Sequence, residues 1–142
     1  ILKNQFGCIP YPRKIKYHKF LDEAIVEANK YFKPNLSIVD GIVALTGVQG
    51  PAYGFPVHAG IILASKDPVA CDDFCAKLLG FSPLLVRHIR LSKRAGLGTT
   101  KYDVIGDSTN LKINSHWGMA ENLVTKVGMT LLNQARKKVS QW

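Results

Sequence analysis

The chain has 142 residues, 46% of them hydrophobic, which suffices for one core and is short for two independent domains. Its formal net charge of +9 points to an anionic partner, whether nucleic acid, a phosphorylated small molecule, an acidic protein or a membrane surface. The longest apolar runs, such as Ser37 to Leu45 and Gly60 to Ala64, fall well short of the roughly 20 residues a membrane-spanning helix needs.

Ile1 to Pro10 lacks the basic start, apolar stretch and cleavage site of a secretory leader. Cys8, Cys71 and Cys75 are an odd number without a dense framework, so a reducing cytoplasm is the expected compartment. The first residue is Ile1, not methionine, and the chain reads as a piece cut from something longer.

After a proline-bearing opening, His18 to Tyr31 places Phe20, Leu21, Ala24, Ile25, Ala28 and Tyr31 at helical spacing. This predicts an amphipathic helix, with Lys30 and Lys33 near its negative pole and Pro34 preventing continuation. Leu36 to Leu45 is rich in β-branched residues and predicts a buried strand, expected to be parallel. Thr46 to His58 carries Gly47, Gly50, Pro51, Gly54 and Pro56, which predicts a fixed, turning loop without regular structure. Gly60 to Ala64 is a second apolar strand.

Asp67-Pro68 is a strong helix start, with a side chain able to cap orphan amides and a proline preset for the first turn. That helix should run to Leu79 and stop at Gly80. A further helical pattern covers Pro83 to about Ala95, Tyr102 to Ile105 is a candidate short strand, and Met119 to about Val139 has one apolar side. Strands alternating with helices predict an α/β fold, a mostly parallel sheet with packed helices, as a single domain over residues 1–142.

The basic residues form three groups: Arg13, Lys14, Lys16 and Lys19; then Arg87, Arg90, Lys93 and Arg94; then Arg136, Lys137 and Lys138. Each is either a solvated face or an anion-binding surface. No helix-turn-helix, zinc-finger or RNA-recognition signature is present, which argues against nucleic acid.

Four pieces, Lys3-Asn4-Gln5-Phe6-Gly7, Pro34-Asn35-Leu36-Ser37-Ile38-Val39-Asp40-Gly41-Ile42, Gly50-Pro51-Ala52-Tyr53-Gly54-Phe55-Pro56 and Asp67-Pro68-Val69-Ala70-Cys71-Asp72, resemble in order and spacing the domain of unknown function three-six-two. The resemblance covers roughly Ile1 to Gly98. It implies an uncharacterised cytosolic protein, often accompanied by ferredoxin-type iron-sulfur segments. It also implies that the chain starts midway and is the C-terminal part of a longer family domain. Thr46 stands where the family tends to place an acidic residue, and the spacing from there to Gly50-Pro51 is longer by one. The chain lacks the repeated Cys-x-x-Cys spacing, so an iron-sulfur cluster would sit on an associated domain.

Asp40 interrupts an apolar strand, where a carboxylate needs a pairing, a hydrogen bond or a metal. The alternatives are a functional site and acceptance of backbone amides from the glycine loop. Asp67 is a helix cap or a ligand. Asp72 lies on the flank of the stripe formed by Ala70, Cys71, Phe74, Cys75 and Leu78, while Asp73 and Lys77 fall opposite as an exposed pair. Asp40, Asp67 and Asp72 converging would suit a hard divalent cation, and a salt bridge to lysine is the alternative for Asp72. Cys71 and Cys75, one helical turn apart, are core or two ligands of an incomplete soft-metal site.

His58, after the glycine loop, is the best placed histidine for ligand or proton work. Lys3 and Asn4 are candidate anion binders on the strength of the resemblance. The expected ligand site is thus Lys3, Asn4, Asp40, Gly50, Gly54 and His58, taking a small anionic ligand. The other reading is a non-catalytic module that docks a redox partner protein.

Overall fold

The computed structural model describes residues 1–47 and 54–106. Helix α1 (Leu2–Gln5) leads into a 3-10 turn, Phe6–Cys8. A seven-residue 3-10 segment, Lys14–Phe20, then runs directly into α2 (Leu21–Tyr31). Strands β1 (Ser37–Gly47) and β2 (Gly54–Ser65) follow, then α3 (Pro68–Leu78), a 3-10 turn at Pro83–Leu85 and α4 (Arg87–Arg94).

The core is helical. Leu2, Phe6, Ala24, Ile25, Val69, Ala76 and Ile89 form one buried cluster drawn from α1 to α4, with Tyr17, Phe81 and Leu97 packed on its rim. Helix α2 reaches it because Ala24, Ile25 and Ala28 recur at helical spacing on one face. Asn29 ties α2 to α1, its buried Nδ2 donating to the carbonyls of Leu2 and Ile25 at 2.8 Å each. Helices α2 and α4 are clasped outside the core, where Arg87 pairs with Glu23 and His88 Nδ1 lies 3.3 Å from Asp22.

The sheet corrects the sequence expectation. Among the described residues it has two strands, and they are antiparallel, so a mostly parallel sheet is overturned. The physical reason is the short connection: residues 48–53 alone separate the strands, whereas a parallel pair needs a crossover of about a dozen residues or more. The loop reading of Thr46 to His58 is also too broad. Pairing continues through Leu45 with Pro56 and Gly47 with Gly54, since a two-stranded ribbon is all edge and tolerates glycine and proline.

One irregularity interrupts the ladder. Register passes from Gly41 opposite Ile61 to Val43 opposite His58, so β2 spends one more residue than β1, and Gly60 within that step has φ +64°. This is the conformation in which a glycine bulge accommodates its extra residue. Gly41 is required for a different reason: a Cβ there would stand 2.6 Å from Cγ1 of Ile61 across the ribbon.

Helix α3 starts as expected. Asp67 is its cap, with Oδ1 accepting the N–H of Val69 at 2.8 Å and of Ala70 at 2.9 Å, and Pro68 occupies the first turn. The pattern from Pro83 to Ala95 divides into the 3-10 turn and α4. Residues Tyr102 to Ile105 form no strand. The apolar pattern at Met119 to Val139 lies outside the described residues.

Candidate functional site

In the ribbon, alternation of side chains gives each strand two faces. Ser37, Gly41 and Ile61 are buried on the inner one, and β2 rests against α3 on the helical body. The outer face carries Ile38, Asp40 and Ile62, and it is bare: Ile38 is 63% and Ile62 66% exposed. Beyond the bulge, Ile42, Val43 and Leu45 are exposed as well. An antiparallel sheet with one solvated face normally alternates apolar-in and polar-out. Here the solvated side is largely aliphatic.

Asp40 lies on this outer face and is exposed, so the desolvation cost inferred for a buried strand does not arise. Its Oδ1 accepts the N–H of Ile42 at 3.0 Å, a local bond two residues on. His58 is exposed in β2, opposite Val43. Gly54 opens β2, whereas Gly50 lies outside the described residues. Lys3 and Asn4 are exposed on α1, at the other end of the helical body's chain order.

The other two carboxylates are occupied by backbone nitrogens. Besides capping α3, Asp67 accepts the N–H of Thr99 at 2.7 Å on Oδ2. Asp72 reaches across the core edge to α1, where Oδ2 accepts the N–H of Leu2 at 2.9 Å. Thus Asp67 closes the loop after α4 onto α3, and Asp72 fastens α1 onto α3. Among the described residues no three His, Cys, Asp or Glu side chains are grouped to hold a metal.

Asp73 departs from the exposed pair expected of it. It is 3% exposed, and its Oδ2 accepts the Tyr102 hydroxyl at 2.8 Å and pairs with Lys77 Nζ at 2.6 Å. Both bonds to its lysine, from Asp73 first and Tyr102 second, hold the Lys77 ammonium above its ordinary range. Burial pushes the Tyr102 phenol up as well. The residue that sequence reasoning missed is Tyr102, which lies 29 positions from the carboxylate it satisfies.

Cys71 and Cys75 interact on α3. The Cys75 thiol hydrogen-bonds to Cys71, which lowers Cys71 and pushes Cys75 well above the usual thiol range, with burial adding to the latter shift. A small cavity of about 160 Å³ borders Cys71, Phe74, Ile62 and Tyr102. It is below the roughly 300 Å³ at which small-molecule pockets begin. No helix of the described residues is long and apolar enough to cross a membrane.

Residues 1–77 match the family described as a domain of unknown function, DUF362. The thylakoid-associated protein sll1697 of Synechocystis sp. is 35% identical over 106 residues, covering 70% of this chain and 33% of that protein. The chain thus spans about a third of the length of the relative it matches. No solved structure matches it.

Proposed function

The chain belongs to the DUF362 family, and we propose that it is a non-catalytic docking module that receives a partner protein on the outer face of the β1–β2 ribbon. The observation that carries this reading is the exposure of Ile38 and Ile62 on a face where polar residues are the norm. Aliphatic side chains on a ribbon recover hydrophobic free energy when a second surface covers them, at about 25 cal/mol per Å² buried. Among the described residues neither outer edge has a strand partner, so main-chain pairing is open to the same partner.

The partner is a redox protein of the ferredoxin type, as the family resemblance implies, bearing the iron-sulfur cluster that this chain's cysteine spacing does not accommodate. The basic balance of +9 favours an acidic partner and speeds its approach. The place of work is the cytoplasm. A divalent metal at Asp40, Asp67 and Asp72 has less support, since Asp67 and Asp72 are engaged by backbone N–H groups.

Calorimetric titration of the native chain with a ferredoxin-type protein from the same cell tests the reading. Binding that weakens about tenfold in Ile38→Thr/Ile62→Thr, with an unchanged circular dichroism spectrum, is the expected result; threonine keeps the β-branched shape while making the face polar. Absence of heat, or equal affinity of the variant, overturns it.

A further inference from the structure

Among the described residues a second exposed apolar surface lies outside the ribbon. The 3-10 segment Lys14–Phe20 and α2 enclose a groove of about 570 Å³ with almost wholly apolar walls. Ile9, Pro10, Tyr17, Phe20 and Tyr31 line it. Tyr17 is the hub, its ring edge-on to Phe6, Tyr11 and Phe20 at centroid distances of 5.7, 6.1 and 5.8 Å. Phe20 is 50% and Tyr31 84% exposed, so the aromatic surface opens to solvent.

Cations frame this opening. From Ile9 to Phe20 the chain carries Arg13, Lys14, Lys16 and Lys19 and no acidic residue. A 3-10 period of about three residues per turn puts Tyr17 and Phe20 on one row with Lys14, whose ammonium is held by the Gly7 carbonyl, and Arg13, Lys16 and Lys19 on the next. Two carboxylates also reach the groove, Glu23 and Glu27, but each is neutralised, the first by Arg87 and the second by Lys30 at 2.6 Å.

An aromatic centre with a polar rim is common to protein interfaces, but a run of cations uninterrupted by any acidic residue matches a uniformly anionic surface better than one of mixed charge. Exposed rings flanked by lysines are instead the composition of a surface lying in a bilayer interface, where rings settle at headgroup depth and cations meet anionic lipid. We infer that this face binds an anionic lipid surface, with Phe20 and Tyr31 at the headgroup boundary and the exposed Arg13, Lys16 and Lys19 against lipid phosphates. The contact is peripheral and independent of the ribbon.

Co-sedimentation of the native chain with phosphatidylcholine vesicles, with and without added phosphatidylglycerol, tests it. Binding is expected to the anionic vesicles only and to fall with added salt. Arg13→Gln/Lys16→Gln/Lys19→Gln should weaken it about a hundredfold, because each cation near an anionic leaflet contributes a factor of about five. Phe20→Ser/Tyr31→Ser should weaken it at unchanged charge, both side chains being exposed and replaceable without loss of fold. Equal binding to neutral vesicles, no binding, or full binding by either variant overturns the inference. Displacement by soluble polyglutamate, with the aromatic variant binding undiminished, overturns it in favour of an acidic polypeptide.

Discussion

Gly98 sits against the carboxylate of Asp67 so closely that a Cβ built on it would stand 2.7 Å from the aspartate Cγ. The approach is what lets Asp67 Oδ2 take the N–H of Thr99 while Oδ1 caps α3. One carboxylate therefore serves a helix start and the loop after α4 together.

Gly98→Ala should force these apart. The expected loss is about 1–3 kcal/mol, the usual range for overpacking, measured as a lower urea midpoint. Asp67→Ala should cost at least the ~1 kcal/mol of a lost N-cap. If the two act through the same bond, the double variant should lose less than the sum of the single losses.

Tyr102→Phe isolates the hydroxyl, because the edge-on contact with Phe74 at 6.1 Å needs only the ring. Removing the O–H leaves the buried Asp73 with Lys77 as its remaining strong partner. A destabilisation of about 1–3 kcal/mol is expected for an ionised acceptor losing a donor. Denaturant unfolding of the two proteins at neutral pH measures it.

The α2–α4 clasp should respond to acid. The hydrogen bond from Arg87 holds the Glu23 carboxyl below its ordinary value. With the folded value depressed, the clasp contributes stability above the ordinary glutamate range, near 4.3, and loses it as pH falls through the lower folded value. Glu23→Gln should thus be less stable than the native chain at neutral pH, and the gap should close in acid. A gap constant with pH would show that the pair contributes nothing through charge.

The thiols should separate by reactivity. Cys8 is exposed, whereas Cys71 is buried and Cys75 partly so. Iodoacetamide should label Cys8 at least about tenfold faster in the native protein, since a thiol reacts through its accessible thiolate. Cys75→Ala removes the hydrogen bond that lowers Cys71, so thiolate absorbance of Cys71 should then appear at higher pH. Mass spectrometry of the labelled peptides and an ultraviolet pH titration check the two parts.

What sequence revealed here was chemistry confined to neighbouring residues. The Asp67-Pro68 helix start was legible because a cap and a preset φ operate within four positions. The strand at Leu36 to Leu45 was legible from its β-branched run, but that run is the same for either strand direction, and orientation was decided by the short connection that follows. Helical spacing places Asp73 in an exposed pair, whereas its partner Tyr102 lies 29 residues away and buries it. The bond of Asp72 to Leu2 spans 70, and no local pattern announces such a pairing. The aliphatic neighbours of Asp40 imply a burial cost, but Ile38 and Ile42 face solvent.

The open ribbon also has a consequence for handling the protein. Long strands with exposed aliphatic faces and, among the described residues, no strand partner at either outer edge are templates for copies of themselves, the usual route to insoluble stacks. Mutual repulsion between molecules carrying +9 opposes that route. Preparations should therefore stay clear in dilute buffer and cloud as ionic strength rises, the reverse of a protein held together by surface ion pairs.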